Sequence, residues 1–207
     1  WALSSAAKIR PEQPPPTRSA PALLLSCARN EREAAQLVLR SSRPLEEFTI
    51  ACGALAGPNG AEIASSQIEI LQVLCLDITQ PTDRASKKGL WPDPLLPIGG
   101  PLELTPDRNH AFWLRLFAPS NAVPGTYRGT VTLRAKGWEA RVPLELTVYA
   151  FALPDRMTCT TAFGFSPGPR APREEVLMVG GLARAGRKVN SNRTVFASVG
   201  HQRTVPF

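Results

Sequence analysis

The chain has 207 residues, 43% of them hydrophobic, which suits one domain with a sizeable core, or one domain plus a fragment. No apolar run approaches the roughly eighteen residues that a membrane-spanning helix requires. The formal charge of +7 is uneven: residues 1–165 hold 17 basic and 15 acidic side chains, and residues 166–207 hold 7 and 2, so the excess reads as a solvated tail and nucleic acid is not an expected partner.

The chain opens at Trp1 with no visible signal peptide, which reads as a processed or trimmed polypeptide. "ALSSAAKI" alternates loosely and runs into the proline-rich "PEQPPPTRSAP". "ALLLSC" follows, then the polar "CARNERE", then "EAAQLVLRS", where alternation outweighs helix propensity and predicts a strand. "EEFTIACGAL" is next, closed by a turn at "GPNG". "QIEILQVLCLDI" alternates at Ile68 and Ile70 and then becomes continuously apolar, the pattern of a strand buried on both faces.

"GLWPDPLLP", residues 89–97, carries three prolines, an acid and one of four tryptophans. Proline fixes φ and removes a donor, so this segment is neither a central strand nor a helix interior and is expected to be a stiffened loop. Beyond it, Phe112, Leu114 and Leu116 face one way in "HAFWLRLFAP", and Trp113, Arg115 and Phe117 the other. Pro124–Gly125 fits a type II turn into "GTYRGTVTLRA". There Tyr127, Val131 and Leu133 alternate with Arg128, Thr130, Thr132 and Arg134. A tight turn at Lys136–Gly137 leads to Trp138, Ala140, Val142, Leu144, Leu146 and Val148, completing a hairpin pattern.

Many short strands with proline-rich turns, and no amphipathic helix before residue 165, predict an all-β fold: a two-sheet antiparallel sandwich, jelly-roll-like, over residues 1–157. "ALPD" marks the domain exit, and "TCTTAFGFS" reads as one more strand. Residues 158–207 are expected to be the start of a following barrel-like domain or an irregular tail, incomplete in either case. Within them "REEVLMVGGLARAGRKV" is helix-like but broken by glycines, and "NSNRTVFASVGHQRTVPF" shows no strong pattern.

Few residues suggest chemistry. Cys27, Cys52, Cys75 and Cys159 form no CxxC pair, and the histidines are His110 and His201, so no zinc-type ligand set and no metal or cofactor is expected. The cysteines read as buried thiols, with one or two disulfides as the alternative in an exported protein. No P-loop occurs. Asn192-Arg193-Thr194 matches a glycosylation sequon, a triplet common by chance.

Four motifs stand in order: "SCARNEREAAQLVLR" (26–40), "GLWPDPLLP" (89–97), "APSNAVPGTYRGTVTL" (118–133) and "LELTVYAFALP" (144–154). Together they make residues 1–165 resemble the N-terminal β-sandwich of glycoside hydrolase family 123 and related bacterial proteins. The resemblance implies a secreted or periplasmic glycosidase for N-acetylgalactosamine-type sugars, with the sandwich ahead of a (β/α)₈-like catalytic barrel whose first strand would begin near "TAFGFS". It implies substrate-assisted hydrolysis, in which the acetamido oxygen attacks the anomeric carbon and an adjacent Asp-Glu pair in the barrel assists, an exception to the usual carboxylate pair. This chain has no Asp-Glu dipeptide. Its adjacent acids, Glu46-Glu47 on an expected edge strand and Glu174-Glu175 in the tail, receive no catalytic role, so no catalytic residue is assigned.

Two sites remain as candidates. Trp91 offers an apolar face to a sugar and Asp93 an acceptor for its hydroxyls; alternatively Trp91, Pro92 and Pro94 form a rigid element that docks the barrel. Arg29 and Asn30 either reach toward a neighbouring domain or sit in a solvated turn. An accessory sandwich packed on a barrel that the chain lacks is therefore expected to show an exposed apolar patch. An autonomous carbohydrate-binding module should instead align Trp91, Trp113 and Trp138 on one face, and a ligand-free scaffold or adhesion domain should show neither feature.

Overall fold

The computed structural model describes residues 1–17, 20, 22–81, 87–156, 163–165 and 195–197. The chain divides into two compact units, Trp1–Leu153 and Pro154–Phe207. The first contains β1 (Ala2–Ser4), β2 (Leu23–Arg29), β3 (Glu31–Leu39), β4 (Leu45–Cys52), β5 (Leu55–Ala56), β6 (Glu62–Ile63), β7 (Ile68–Ile78), β8 (Gly89–Pro97), β9 (Leu102–Leu104), β10 (His110–Ala118), β11 (Gly125–Ala135) and β12 (Trp138–Ala152). Short 3₁₀ turns at Pro58–Gly60 and Ser65–Gln67 link β5 to β6 and β6 to β7. In the second unit β13 (Phe163–Phe165) pairs antiparallel with β14 (Val195–Ala197). The latter strand falls in a stretch whose sequence shows no pattern. Cys159, the Glu174-Glu175 pair, the helix-like 173–189 segment and the 192–194 sequon lie outside the described residues.

The fold of the first unit is all-β, as the patterning predicts: a sandwich of two sheets. One runs β1-β3-β10-β7-β8, and the other β2-β12-β11-β4-β9 with β5 and β6 appended beside β11. Their pairings are antiparallel except β2 with β12, which is parallel. The inward residues meet between the sheets. Phe48 stacks on Phe112 with centroids 5.2 Å apart, surrounded by Leu114, Leu116, Tyr127, Val131, Leu144 and Leu146, all buried. Each such side chain contributes about 1.5–3 kcal/mol of apolar burial.

Several expectations need correction. Residues 89–97 form an edge strand rather than a loop. Proline is tolerated there because an edge has donors with no partner to lose. Val73 pairs with Leu95 and Cys75 with Pro92, so Asp93 and Pro94 together oppose Leu74 in a one-residue bulge. β7 is not buried on both faces: beyond Leu71 it runs past the core, and Leu76 is exposed. β4 is not an edge, because β9 pairs with it at Leu45 and Phe48. The hydrogen-bonded turn before β11 closes from Ala122 N–H to Pro119 O rather than around Pro124–Gly125. Gly125 has φ +137, far from the type II value, and a side chain there would press on Pro58.

The N-terminal segment is a strap across the outer face of the first sheet. β1 adds to β3 at one edge. The buried Gln36 amide then donates to Ser4 O and Ala7 O at 3.1 and 2.7 Å. Ile9 packs on Val38 of β3 and Ala111 of β10. Lys8 Nζ reaches Pro92 O at 3.4 Å and Arg10 Nε reaches Leu90 O at 3.3 Å, both on β8, the opposite edge. Asn109 closes the strap by donating to Arg10 O and Gln13 O.

Candidate functional site

Trp91 lies on β8 opposite Leu76 and is half-buried. Its indole N–H donates to Lys87 O at 2.6 Å. The Arg10 guanidinium stands over its ring, 5.2 Å from the centroid. One face of the ring therefore carries a cation from the strap, and its polar atom is satisfied internally. Pro92 is buried, Pro94 is half-buried and Asp93 projects into solvent at the bulge. The structure thus places Trp91, Pro92, Asp93 and Pro94 together on one edge. Trp113 sits on the central strand β10 of the same sheet, and Trp138 packs against the core from β12 in the other. The three tryptophans do not share a face.

Arg29 and Asn30 serve the end of β12. The tight passage from β2 to β3 is made by Asn30 alone, with φ +61. Asparagine tolerates this left-handed conformation better than most residues do. Asn30 N–H donates to Ala118 O at 2.7 Å, and its side-chain amide to Leu153 O at 3.0 Å. Arg29 Nη2 donates to Ala150 O at 2.8 Å, and Leu153 N–H donates to Arg29 O at 2.9 Å. Rather than forming a solvated turn, the polar stretch clamps Ala150 to Leu153, the last residues of the first unit. Glu31 contributes by accepting from Ala28 N–H at 2.6 Å.

What this clamp holds in place is an apolar patch. Tyr149 and Phe151 are 45% and 59% exposed, and Leu153 beside them 39%. The two rings lie 5.9 Å apart with planes 4° from parallel. These residues were absent from the sequence-based candidates. The signal was available, however: Leu144, Leu146 and Val148 point inward, so Tyr149 and Phe151 occupy outward positions where polar residues are the norm.

The electrostatics indicate inert groups. Burial, reinforced by Glu31 and Glu33, pushes the Cys27 thiol up to about 11. Burial also pushes Cys52 up to about 11 and raises Cys75. These three cysteines are unpaired thiols. Arg134 and Arg141 hold the Glu139 carboxyl below its ordinary range, opposite to what a general acid needs. Among the described residues no cluster of three or more histidine, cysteine or acidic side chains is arranged to hold a metal ion. No helix among them is long and apolar enough to cross a membrane.

Comparison with known proteins follows the fold. The family model of the glycoside hydrolase 123 N-terminal domain matches residues 9–135. Among solved structures the chain is similar to a family 123 glycoside hydrolase from Clostridium perfringens, described for glycolipid glycan hydrolysis, with 20% identity and a TM-score of 0.53. That match covers 64% of this chain and 24% of the other, so the chain spans about a quarter of that enzyme's length. Matches to the N-terminal domain of PorA (10% identity, TM-score 0.30, 73% of this chain and 98% of that one) and to the C-terminal domain of the Streptococcus agalactiae AgI/II polypeptide BspA (12%, 0.26, 68% and 49%) are too distant in shape to carry an argument. No curated protein matches the chain.

Proposed function

The chain belongs to the glycoside hydrolase 123 N-terminal domain family, and from that membership we propose that it is the non-catalytic accessory sandwich of a glycoside hydrolase acting on N-acetylgalactosaminide-type sugars. Its partner is a catalytic barrel domain. The observation that carries this reading is the Tyr149–Phe151–Leu153 patch, apolar, exposed and held rigid by Arg29 and Asn30. Exposed apolar clusters of this kind mark docking faces, and a pre-ordered face loses little entropy on contact. Trp91 with Pro92 and Pro94 is a second rigid element available to the same partner, its stiffness supplied by the prolines, the bulge and the Arg10 contact.

The near-parallel rings of Tyr149 and Phe151 favour one alternative: a sugar platform that stacks on pyranose C–H faces, making the sandwich a carbohydrate-binding module. One experiment separates the two. The chain is assayed with chromogenic N-acetylgalactosaminides and titrated calorimetrically with N-acetylgalactosamine. Neither turnover nor binding is expected. Turnover that survives repurification would overturn the accessory role. Binding that the Tyr149→Ala/Phe151→Ala variant loses would move the reading to the sugar module.

A further inference from the structure

Among the described residues the two sheets have five outer edges, and four are closed to further pairing; β6, paired only with β5, is two residues long. β1 and β9 are three residues long, and β8 carries three prolines, a bulge and the strap residues Lys8 and Arg10. These are the usual defences of an edge strand. Among the described residues none of these protects β2. It is seven residues long, "LLLSCAR", bonded along one side to β12, with Leu24 70% exposed. Its far end is blocked where the Glu31 carboxylate takes the Ala28 N–H. Backbone groups alternate in direction along a strand, so those of Leu24 and Ser26 leave the sheet on the same side as Ala28's. Alongside this edge runs an open groove of about 460 Å³, with small side chains at Ala2, Ser4, Ala22, Ala34 and Ala35 and a charge at Glu33.

We propose that β2 accepts an added strand from a partner protein: an extended segment with apolar side chains at alternate positions and a lysine or arginine among the others. Main-chain bonds to Leu24 and Ser26 would hold it, and the alternate side chains would fill a groove that alanine and serine leave wide. Glu33, the charged residue in the groove lining, selects a cation. None of these residues belongs to the Tyr149–Phe151–Leu153 patch, so this surface stands or falls apart from the accessory role.

The test uses the full chain and two acetylated hexapeptides, KVTVTV and EVTVTV, each carrying a C-terminal fluorophore and followed by fluorescence anisotropy. The lysine peptide should bind at least about tenfold more tightly. Glu33→Lys should reverse that preference. Ser26→Pro, which removes a free-edge donor and spares the β12 ladder, should abolish binding. Circular dichroism checks each variant's fold, and the charge reversal keeps the proposal exposed to refutation if the proline variant misfolds. Absence of saturable binding up to about 1 mM would overturn it. Binding that survives folded Ser26→Pro, or ignores the charge reversal, would do the same. A concentration-dependent dimer that Ser26→Pro abolishes would show that a second copy takes this edge, and would overturn the partner segment.

Discussion

Tyr127 Oη donates to Val123 O across 2.8 Å, and its ring lies so close to Gly57 that a Cβ built there would sit 2.8 Å from Cζ and nearer still to Cε1 and Cδ1. The tyrosine is fully buried, and its hydroxyl reaches back to the loop before its own strand, the tie seen in other β-sandwiches. Gly57→Ala therefore forces a rigid ring to move and should cost about 1–3 kcal/mol. Tyr127→Phe keeps the packing and leaves Val123 O near solvent, so its cost should be at most about 1 kcal/mol. Urea denaturation midpoints rank the two, and a larger loss for Tyr127→Phe would contradict the steric account.

The buried Gln36 side chain ties the strap to β3 through two part-buried hydrogen bonds. Gln36→Ala should cost about 2 kcal/mol and loosen the segment it anchors. Limited trypsinolysis with mass spectrometry should then show faster cleavage after Lys8 than in the parent chain. Unchanged cleavage at that site would place the anchor elsewhere.

At Asn30 two substitutions separate backbone from side chain. Asn30→Gly keeps the left-handed conformation and loses the amide bond to Leu153 O. Asn30→Ala loses both, adding a conformational cost of about 1–2 kcal/mol. Thermal melting should place Ala below Gly, and the reverse order would show that φ at this link is not constrained.

Much of this was readable from the residues, and all but one of the misses come from pairings between distant segments. Alternation grouped Phe112 with Leu114, Tyr127 with Val131, and Leu144 with Leu146 on single faces, which are the buried ones, because a two-residue period follows from the strand itself. Whether a strand is an edge depends on its neighbours. Three prolines in residues 89–97 rule out a central strand, but only the pairing with β7 distinguishes an edge strand from a loop. Arg10 over Trp91, and Arg29 and Asn30 on residues 150–153, join segments far apart in sequence whose meeting no local pattern records. Tyr149 and Phe151 were the legible miss, since their outward register follows from Leu144 and Leu146.

The thiols supply a pH prediction. With Cys27 and Cys52 at about 11, roughly one thiolate in a thousand exists at pH 8. Native-state alkylation of both should be slow at that pH and accelerate about tenfold per pH unit until near pH 11. Because the folded thiols hold their protons more tightly than unfolded ones, stability should decline as pH climbs from about 9 toward 11. Mass mapping of iodoacetamide adducts checks the first point and melting temperature against pH the second. Rapid labelling at pH 8 would contradict the burial described for both sites.

The parallel seam between β2 and β12 has a mechanical consequence. β12 is held by β11 over eleven paired residues and by β2 from Leu144 to Val148, then gripped near its last residue by Arg29 and Asn30. A load arriving at Leu153 and pulling along the strand axis meets these bonds side by side, in shear. They must yield together rather than open one after another, as they would in an unzipping geometry. The sandwich is thus a stiff anchor in that direction, able to transmit tension from Leu153 into both neighbouring strands at once.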